Sequence, residues 1–138
     1  MLSLISGVDF MPGISNLPTL LKSMRPKLVR GEFVFCSVHS KTYANLNPLL
    51  VFREDEGITV VLEKKIADKN NLKYQDSETW ALITLTVHSD LSAVGFLAAI
   101  TTKLAKSGIP VNAVSAYYHD HLFVPHTMAN KAMQILAI

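Results

Sequence analysis

The chain has 138 residues, of which 49% are hydrophobic and 17% charged, and its formal net charge is +2. This composition is typical of a globular protein and excludes a disordered chain. The length suits one domain, or two small units that share a core. Lys and Arg are scattered, and we interpret the most basic stretch, Lys22 to Arg30, as a solvated helix end. We therefore expect no nucleic-acid partner.

Cysteine usage and hydropathy predict a cytoplasmic protein. Cys36 is the only cysteine, so no disulfide forms within one chain, and we interpret it as a small buried hydrophobe. The first residues lack a basic start, and Gly7 and Asp9 break their apolar run, which makes a poor signal peptide. No stretch approaches the roughly 18–20 apolar residues that cross a bilayer. We expect no membrane partner.

The first half of the chain predicts a helix, three strands and a second helix. Ser15 or Asn16 can cap the first helix, with Pro18 in its first turn and Pro26 at its end. A short, weak helix closes at Asn70-Asn71. Between them, aromatic and β-branched residues predict three strands, the last two joined by an acidic turn: residues 31–38, 49–54 and 57–64.

The second half predicts strand, helix, strand, strand and helix. A strand covers residues 79–87, and Ser89 or Asp90 caps a helix that runs to Lys106 before a stop at Gly108. Gly95 lies inside this predicted helix, where glycine costs about 0.5–1 kcal/mol relative to alanine. Close packing on the sheet, or room for a ligand at the helix start, would explain a glycine at this position. The remaining predicted elements are a strand over 109–118, a turn at His119-Asp120 or Asp120-His121, a strand over 121–125 and a helix over 126–138.

The order of elements is nearly the same in the two halves. The second half is one strand short of the ferredoxin-like βαββαβ pattern, and the first half offers almost the same set. The missing edge strands predict that the halves lend strands to each other, or that a partner chain supplies them.

The sequence His119-Asp120-His121 has several interpretations. Two histidines two residues apart on a strand share a face and could ligate zinc, with His126 as the nearest third ligand. Acid–base catalysis would need Ser115 as a nucleophile, yet no nucleophile elbow is visible. The three residues could also form only a hairpin turn, with the histidines at the rim of the sheet.

A binding role for Asp120 is a further interpretation. An aspartate at the hairpin would face a cationic group, while the helix after Asp90 offers free N–H groups to a carboxylate. An acid on one side and a helix start on the other suit a zwitterion, which describes an amino acid.

Residues 89–125, SDLSAVGFLAAITTKLAKSGIPVNAVSAYYHDHLFVP, resemble the ACT-domain signature of aspartate kinase regulatory regions. The ending YHDHLFVP resembles a small bacterial family of tandem ACT proteins and is similar to the cytosolic arginine sensors of animals. SMRPKLVRGEFVF and FREDEGITVV resemble the divergent N-terminal ACT domain of the bacterial family. The resemblance covers residues 14 to 138. It implies an α+β fold of two ferredoxin-like (βαββαβ) ACT-type units, with antiparallel sheets and helices on one face.

The same resemblance implies a ligand site, because ACT domains bind small ligands, usually amino acids, at interfaces between paired domains. The aspartate of the arginine sensors that contacts the cationic side chain corresponds to Asp120, and His121 follows it directly. The loop and helix start, and the strand before the turn, add the remaining residues: Asp90, Ser92, Ala93, Val94, Gly95, Ser115, Ala116 and Tyr117. The arginine sensors have four ACT units and this chain has two, so the pocket is expected to need a homodimer.

We therefore predict a divergent N-terminal ACT-like unit at residues 14–72 and a C-terminal ACT unit at residues 73–138. The predicted function is that of a stand-alone, non-enzymatic regulator that binds an amino acid or a similar small polar molecule, without metal or cofactor. Two alternatives stay open. One is a protein-interaction module without a ligand, and the other is a small metal-dependent enzyme that uses His119, Asp120 and His121.

Overall fold

A computed structural model describes residues 13–39, 41–75 and 77–137. Within these ranges the strands are β1 (Arg25–Val38), β2 (Leu50–Arg53), β3 (Ile58–Glu63), β4 (Trp80–Thr86), β5 (Asn112–Ser115) and β6 (Asp120–Pro125). The α-helices are α1 (Leu17–Ser23), α2 (Lys64–Lys69), α3 (Phe96–Lys106) and α4 (Ala129–Leu136), and two 3-10 helices cover Lys41–Leu46 and His126–Met128. The strands form one six-stranded antiparallel sheet in the order β2-β3-β1-β4-β6-β5.

The start of α1 follows from local sequence, as predicted. Asn16 is its N-cap, and the Asn16 side-chain oxygen accepts a hydrogen bond from the backbone N–H of Thr19 at 3.0 Å. Pro18 lies in the first turn, where its missing N–H costs nothing. The helix stops at Ser23 because Met24 is already extended. The residues that follow belong to a strand, so the prediction of a solvated helix end at Lys22–Arg30 is wrong beyond the helix terminus.

The strand β1 is 14 residues long and joins the two halves of the sheet. Its second part, from Phe33 to Val38, pairs with β3, and its first part, from Arg25 to Val29, pairs with β4. The register shifts between these parts around Gly31, whose φ of +124° is a glycine conformation. The first part of β1 therefore lies where the fourth strand of the C-terminal unit was missing. One half lends a strand to the other, which was one of the two predicted solutions.

Two hairpins at the sheet edges have the same register. In β2–β3 the last residue, Arg53, pairs with the first residue of the next strand, Ile58. In β5–β6 Ser115 pairs with Asp120 in the same way. Each hairpin is therefore closed by a four-residue loop, and the two halves are built alike at these edges.

The helices pack on one face of the sheet. The larger core lies between α1, α3, α4 and the strands β4 and β6, and a smaller one lies between α2, β1 and β3. The opposite face carries an aromatic cluster in which Phe35 contacts Trp80 and Phe123 edge to face, with ring centroids 5.8 and 5.3 Å apart. The two helix-side cores bury these residues: Leu20, Val34, Cys36, Val60, Leu62, Ile83, Leu85, Ile100, Leu104, Leu122 and Val124.

The two halves of the chain share a hydrophobic core. Leu20 and Met24 of the first half belong to the core of the second half. The predicted division between residues 72 and 73 falls in the connection from α2 to β4, and it stays a prediction. Within the described ranges, no helix is both long and apolar enough to cross a bilayer. Cys36 is buried as predicted, and burial raises the pKa of its thiol.

Candidate ligand-binding site

The segment between β4 and α3 is held by the start of the described chain. The backbone N–H of Ile14 donates to the carbonyl of His88 at 2.7 Å, and the N–H of Asp90 donates to the carbonyl of Ile14 at 2.8 Å. Gly13 lies so close to Ser89 and Asp90 that an added Cβ would be 2.5 Å from the Asp90 nitrogen. Residues 13 and 14 therefore fix the position of the loop that leads into α3.

Asp90 shapes this loop and does not cap a helix. One carboxylate oxygen accepts the backbone N–H of Ser92 at 2.8 Å, and the Asp90 carbonyl accepts the N–H of Ala93 at 2.9 Å. The Ser92 hydroxyl and backbone donors hold the pKa of Asp90 below its usual value. The predicted helix from residue 91 is therefore wrong over its first five residues, because the Asp90 side chain stabilises a turn instead.

Gly95 immediately precedes α3 and is not inside it. Its φ of +89° is left-handed, which accounts for glycine at this position. An added Cβ would also meet a Leu17 methyl carbon at 3.4 Å. No side chain in the described part of the protein caps the helix, and the first N–H groups of α3 lack intrahelical acceptors. This helix start, opposite Asp120, forms one wall of a cavity.

Asp120 opens β6 and is not part of the hairpin turn. The loop consists of Ala116 to His119 and is closed by the Ala116 N–H, which donates to the carbonyl of His119 at 3.0 Å. The predicted turn at His119-Asp120 or Asp120-His121 is therefore wrong, and the predicted strand over 109–118 is shorter at both ends. Since Asp120 pairs with Leu85 of β4, its side chain lies on the helix side of the sheet.

The Asp120 carboxylate is buried and bonded to hydroxyl groups. Only 8% of the residue is exposed. Ser115 Oγ donates to one carboxylate oxygen at 2.6 Å, and Ser89 Oγ donates weakly to the other at 3.4 Å. Among the described residues, no Lys, Arg or His forms an ion pair with it. A buried carboxylate without a cation is costly.

A cavity of about 70 Å³ lies between Asp120 and the start of α3. Five of the ten predicted site residues line it, and four lining residues were not in the predicted set. The predicted ones are Asp90, Ala93, Ser115, Ala116 and Asp120, and the others are Ser89, Leu91, Phe96 and Leu97. The sequence pattern predicts Ser89 only as a helix cap, and the position of Phe96 and Leu97 at the cavity depends on where α3 begins. Ser92, Val94, Gly95, Tyr117 and His121 do not line the cavity.

His121 faces away from Asp120. It pairs with Thr84, and His121 Nδ1 and Thr84 Oγ1 are hydrogen-bonded at 2.9 Å. Burial lowers the pKa of His121 below its ordinary 6.5, and the charge of His119 lowers it further. His119 lies beside it, with ring centroids 6.3 Å apart, and donates from Nδ1 to the carbonyl of Val87 at 3.1 Å. Across the described ranges, no three His, Cys, Asp or Glu residues gather as a metal site would require.

The rim of the cavity is apolar and exposed. Leu91 lines the cavity and is 67% exposed, and Val94, three residues later, is 83% exposed. Tyr117 follows the lining residue Ala116, is 48% exposed and packs edge to face on Tyr118, with ring centroids 4.9 Å apart. Exposed apolar groups around a polar cavity are typical of a surface that another molecule covers.

The N-terminal unit has no matching carboxylate. The shared hairpin register puts Arg53 at the position of Ser115 and Ile58 at the position of Asp120. The segment after β1 forms a short 3-10 helix, Lys41–Leu46, where the C-terminal unit has α3. Among the described residues, the buried acid is therefore found in the C-terminal unit alone.

Comparisons with known proteins agree with this architecture. Two family models, each described as an ACT domain, match residues 12–78 and 77–137. A protein of unknown function from Vibrio cholerae, described as a possible transport protein, is 46% identical over 90% of this chain and 95% of its own, with a TM-score of 0.79. These matches confirm the resemblance and the predicted fold class.

Two more distant structures share the fold. A protein from Agrobacterium tumefaciens is 17% identical over 83% of this chain and 87% of its own, with a TM-score of 0.68. The ligand-free regulatory subunit of aspartate kinase from Thermus thermophilus is 8% identical over 80% of this chain and 93% of its own, with a TM-score of 0.56. A comparison with curated proteins gives no match.

Proposed function

The chain belongs to the ACT-domain family, with two ACT domains in tandem, and on this basis we propose that it is a regulatory protein that binds an amino acid beside Asp120. ACT domains bind small ligands, usually amino acids, at interfaces between paired domains. The proposed role is non-catalytic. Ligand binding would change how the ACT units pack against each other, and this change would signal to a partner.

The observation that carries the proposal is the buried carboxylate of Asp120. Its hydrogen-bond partners are the hydroxyl groups of Ser115 and Ser89. Among the described residues, no Lys, Arg or His forms an ion pair with it. A ligand ammonium or guanidinium would compensate the buried charge in a place that water reaches poorly. A cationic amino acid such as arginine or lysine, or the α-ammonium of any amino acid, meets this requirement.

The start of α3 supplies the complementary group. The N–H groups of Phe96 and Leu97 lack intrahelical acceptors, and both residues line the cavity. A carboxylate there gains hydrogen bonds and the favourable end of the helix dipole. A zwitterion can thus place its positive group at Asp120 and its negative group at α3.

A second copy of the chain would complete the pocket. Small-molecule sites usually have volumes of about 300–1,000 Å³, and the cavity here has about 70 Å³. Leu91 lines the cavity, and Val94 follows it three residues later; both are exposed and apolar, which suits an interface. The proposed homodimer would seat the ligand between the two copies. The cytoplasmic location expected from the single cysteine stays a prediction.

The test is a thermal-shift screen of the twenty amino acids on wild type, on Asp120→Asn and on Asp55→Asn as a control. Asparagine keeps the shape of Asp120 and removes its charge. Its side-chain oxygen can still accept the hydrogen bond from Ser115, and its NH2 group can donate to the Ser89 hydroxyl in place of the weak bond that Ser89 gives to Asp120. Asp55 is exposed in the β2–β3 loop, far from the cavity in sequence and on another unit. A ligand at 100 times its dissociation constant stabilises the fold by about 2.7 kcal/mol, which is easily seen.

We expect one or a few amino acids to stabilise wild type and Asp55→Asn, and to bind Asp120→Asn about 10- to 100-fold more weakly, as for a lost charge-assisted bond. Light scattering with and without that ligand then gives the subunit count. Equal stabilisation of all three proteins would remove Asp120 from the site. If no amino acid stabilises wild type, the interaction module without a ligand becomes the better account.

A further inference from the structure

A second concave site lies on the helix side, away from Asp120. It is a groove of about 700 Å³ between α1, α3, α4 and the start of β1. Its floor is the buried core, formed by Met24, Ile100 and Leu136, and Met133 adds a flexible side chain. Leu21, 39% exposed, forms part of its edge. The walls are therefore apolar and, through the methionines, adaptable.

Among the described residues, the charged ones that line the groove are all cations: Lys22, Arg25 and Lys103. In the part of the chain that the structure describes, neither Lys22 nor Lys103 forms an ion pair. Arg25 is held in place because its Nη1 donates to the carbonyls of Lys22 and Met24, each at 3.0 Å. Three cations beside an apolar floor are complementary to a molecule with an anionic head and an apolar body.

The size of the groove decides between a small molecule and a protein. Its volume lies within the range of about 300–1,000 Å³ that is usual for small-molecule sites. A stable protein interface uses about 20–30 residues on each side, and 12 of the described residues line this groove. The observations therefore favour a small ligand.

We propose that this groove binds a medium-chain monocarboxylate. Its carboxylate pairs with Lys22 and Lys103, and its alkyl chain lies on Met24, Ile100 and Met133. The site is separate from the cavity beside Asp120, because the two have no lining residue in common. The proposal therefore does not depend on the amino-acid site.

The experiment is isothermal titration calorimetry of the full chain with decanoate below its micelle concentration. Octanoate tests burial of the ligand's alkyl chain and should bind about tenfold more weakly than decanoate, since it has two methylene groups fewer. Decanol tests the head group and should bind more weakly than decanoate. The double variant Lys22→Gln/Lys103→Gln should bind decanoate about tenfold more weakly. Added salt should weaken binding to wild type.

Two controls make the result specific. Lys65→Gln/Lys106→Gln removes two exposed lysines outside the groove and should bind decanoate as wild type does. Asp120→Asn should also bind it unchanged. Three outcomes would each overturn the proposal. Decanol could bind as tightly as decanoate, or Lys22→Gln/Lys103→Gln could bind decanoate as tightly as wild type does. The protein could also bind only to anionic phosphatidylglycerol vesicles. Circular dichroism and melting curves verify that every variant is folded.

Discussion

Gly13→Ala tests how the start of the described chain holds the loop before α3. An added Cβ would lie 2.5 Å from the backbone nitrogen of Asp90 and 2.6 Å from the carbonyl carbon of Ser89. Because both are backbone atoms, no side-chain rotation relieves the clash, and the two segments must separate. Gly13 has no left-handed φ, so the effect comes from this close approach alone.

The expected loss follows from the two backbone hydrogen bonds at this contact. The Ile14 N–H and carbonyl bond to His88 and Asp90 at 2.7 and 2.8 Å, and each bond is worth about 0.5–1.5 kcal/mol. Losing both costs about 1–3 kcal/mol. Alanine also restricts the unfolded chain, which returns about 0.4–1 kcal/mol. From the middle of each range, we expect the free energy of unfolding to fall by about 1.3 kcal/mol.

Urea unfolding measures this loss directly, and the melting temperature should fall by about 4 °C per kcal/mol for a chain of this size. Ser15→Ala, at an exposed position two residues later, should stay within about 0.5 kcal/mol of wild type. If Gly13→Ala is as stable as wild type or more stable, the close approach to Ser89 and Asp90 is refuted. The altered loop should also weaken amino-acid binding, since Ser89 lines the cavity.

Three further predictions concern single positions. Gly95→Ala should lose about 1–2 kcal/mol in urea unfolding because of the left-handed φ of +89°, and a smaller loss in Gly95→Asn would support that cause. His121 has a lowered pKa when folded, so the unfolded chain binds its proton more readily and stability falls as the pH drops below 6.5; melting curves of His121→Gln should show a smaller fall. Phe123→Ala, in the aromatic cluster with Phe33, should lose about 3–5 kcal/mol. Phe52 is exposed, so Phe52→Ala should lower the free energy of unfolding by under about 0.5 kcal/mol. Equal losses in Phe52→Ala and Phe123→Ala would contradict the packing of Phe123 in the aromatic cluster.

The sequence predicts those elements whose signals lie within a few residues. Asn16 and Pro18 define the start of α1 because a cap and a first-turn proline act locally. Asn70-Asn71 closes α2, and the acidic loop joins β2 to β3. The start of α3 could not be predicted in this way. Asp90 is as good a turn residue as a cap, and only the contacts of the loop with Ile14 decide which role it takes.

The sequence by itself determined the α+β class, the order of elements and the presence of an acid near the hairpin. The tertiary structure decided that β1 serves both halves of the sheet and that Asp120 is buried while His121 faces the other side. The reason is that side chains alternate along a strand, so the face of each residue depends on the pairing register. Register is set by distant partners, here Leu85 for Asp120 and Thr84 for His121, and no local pattern contains it.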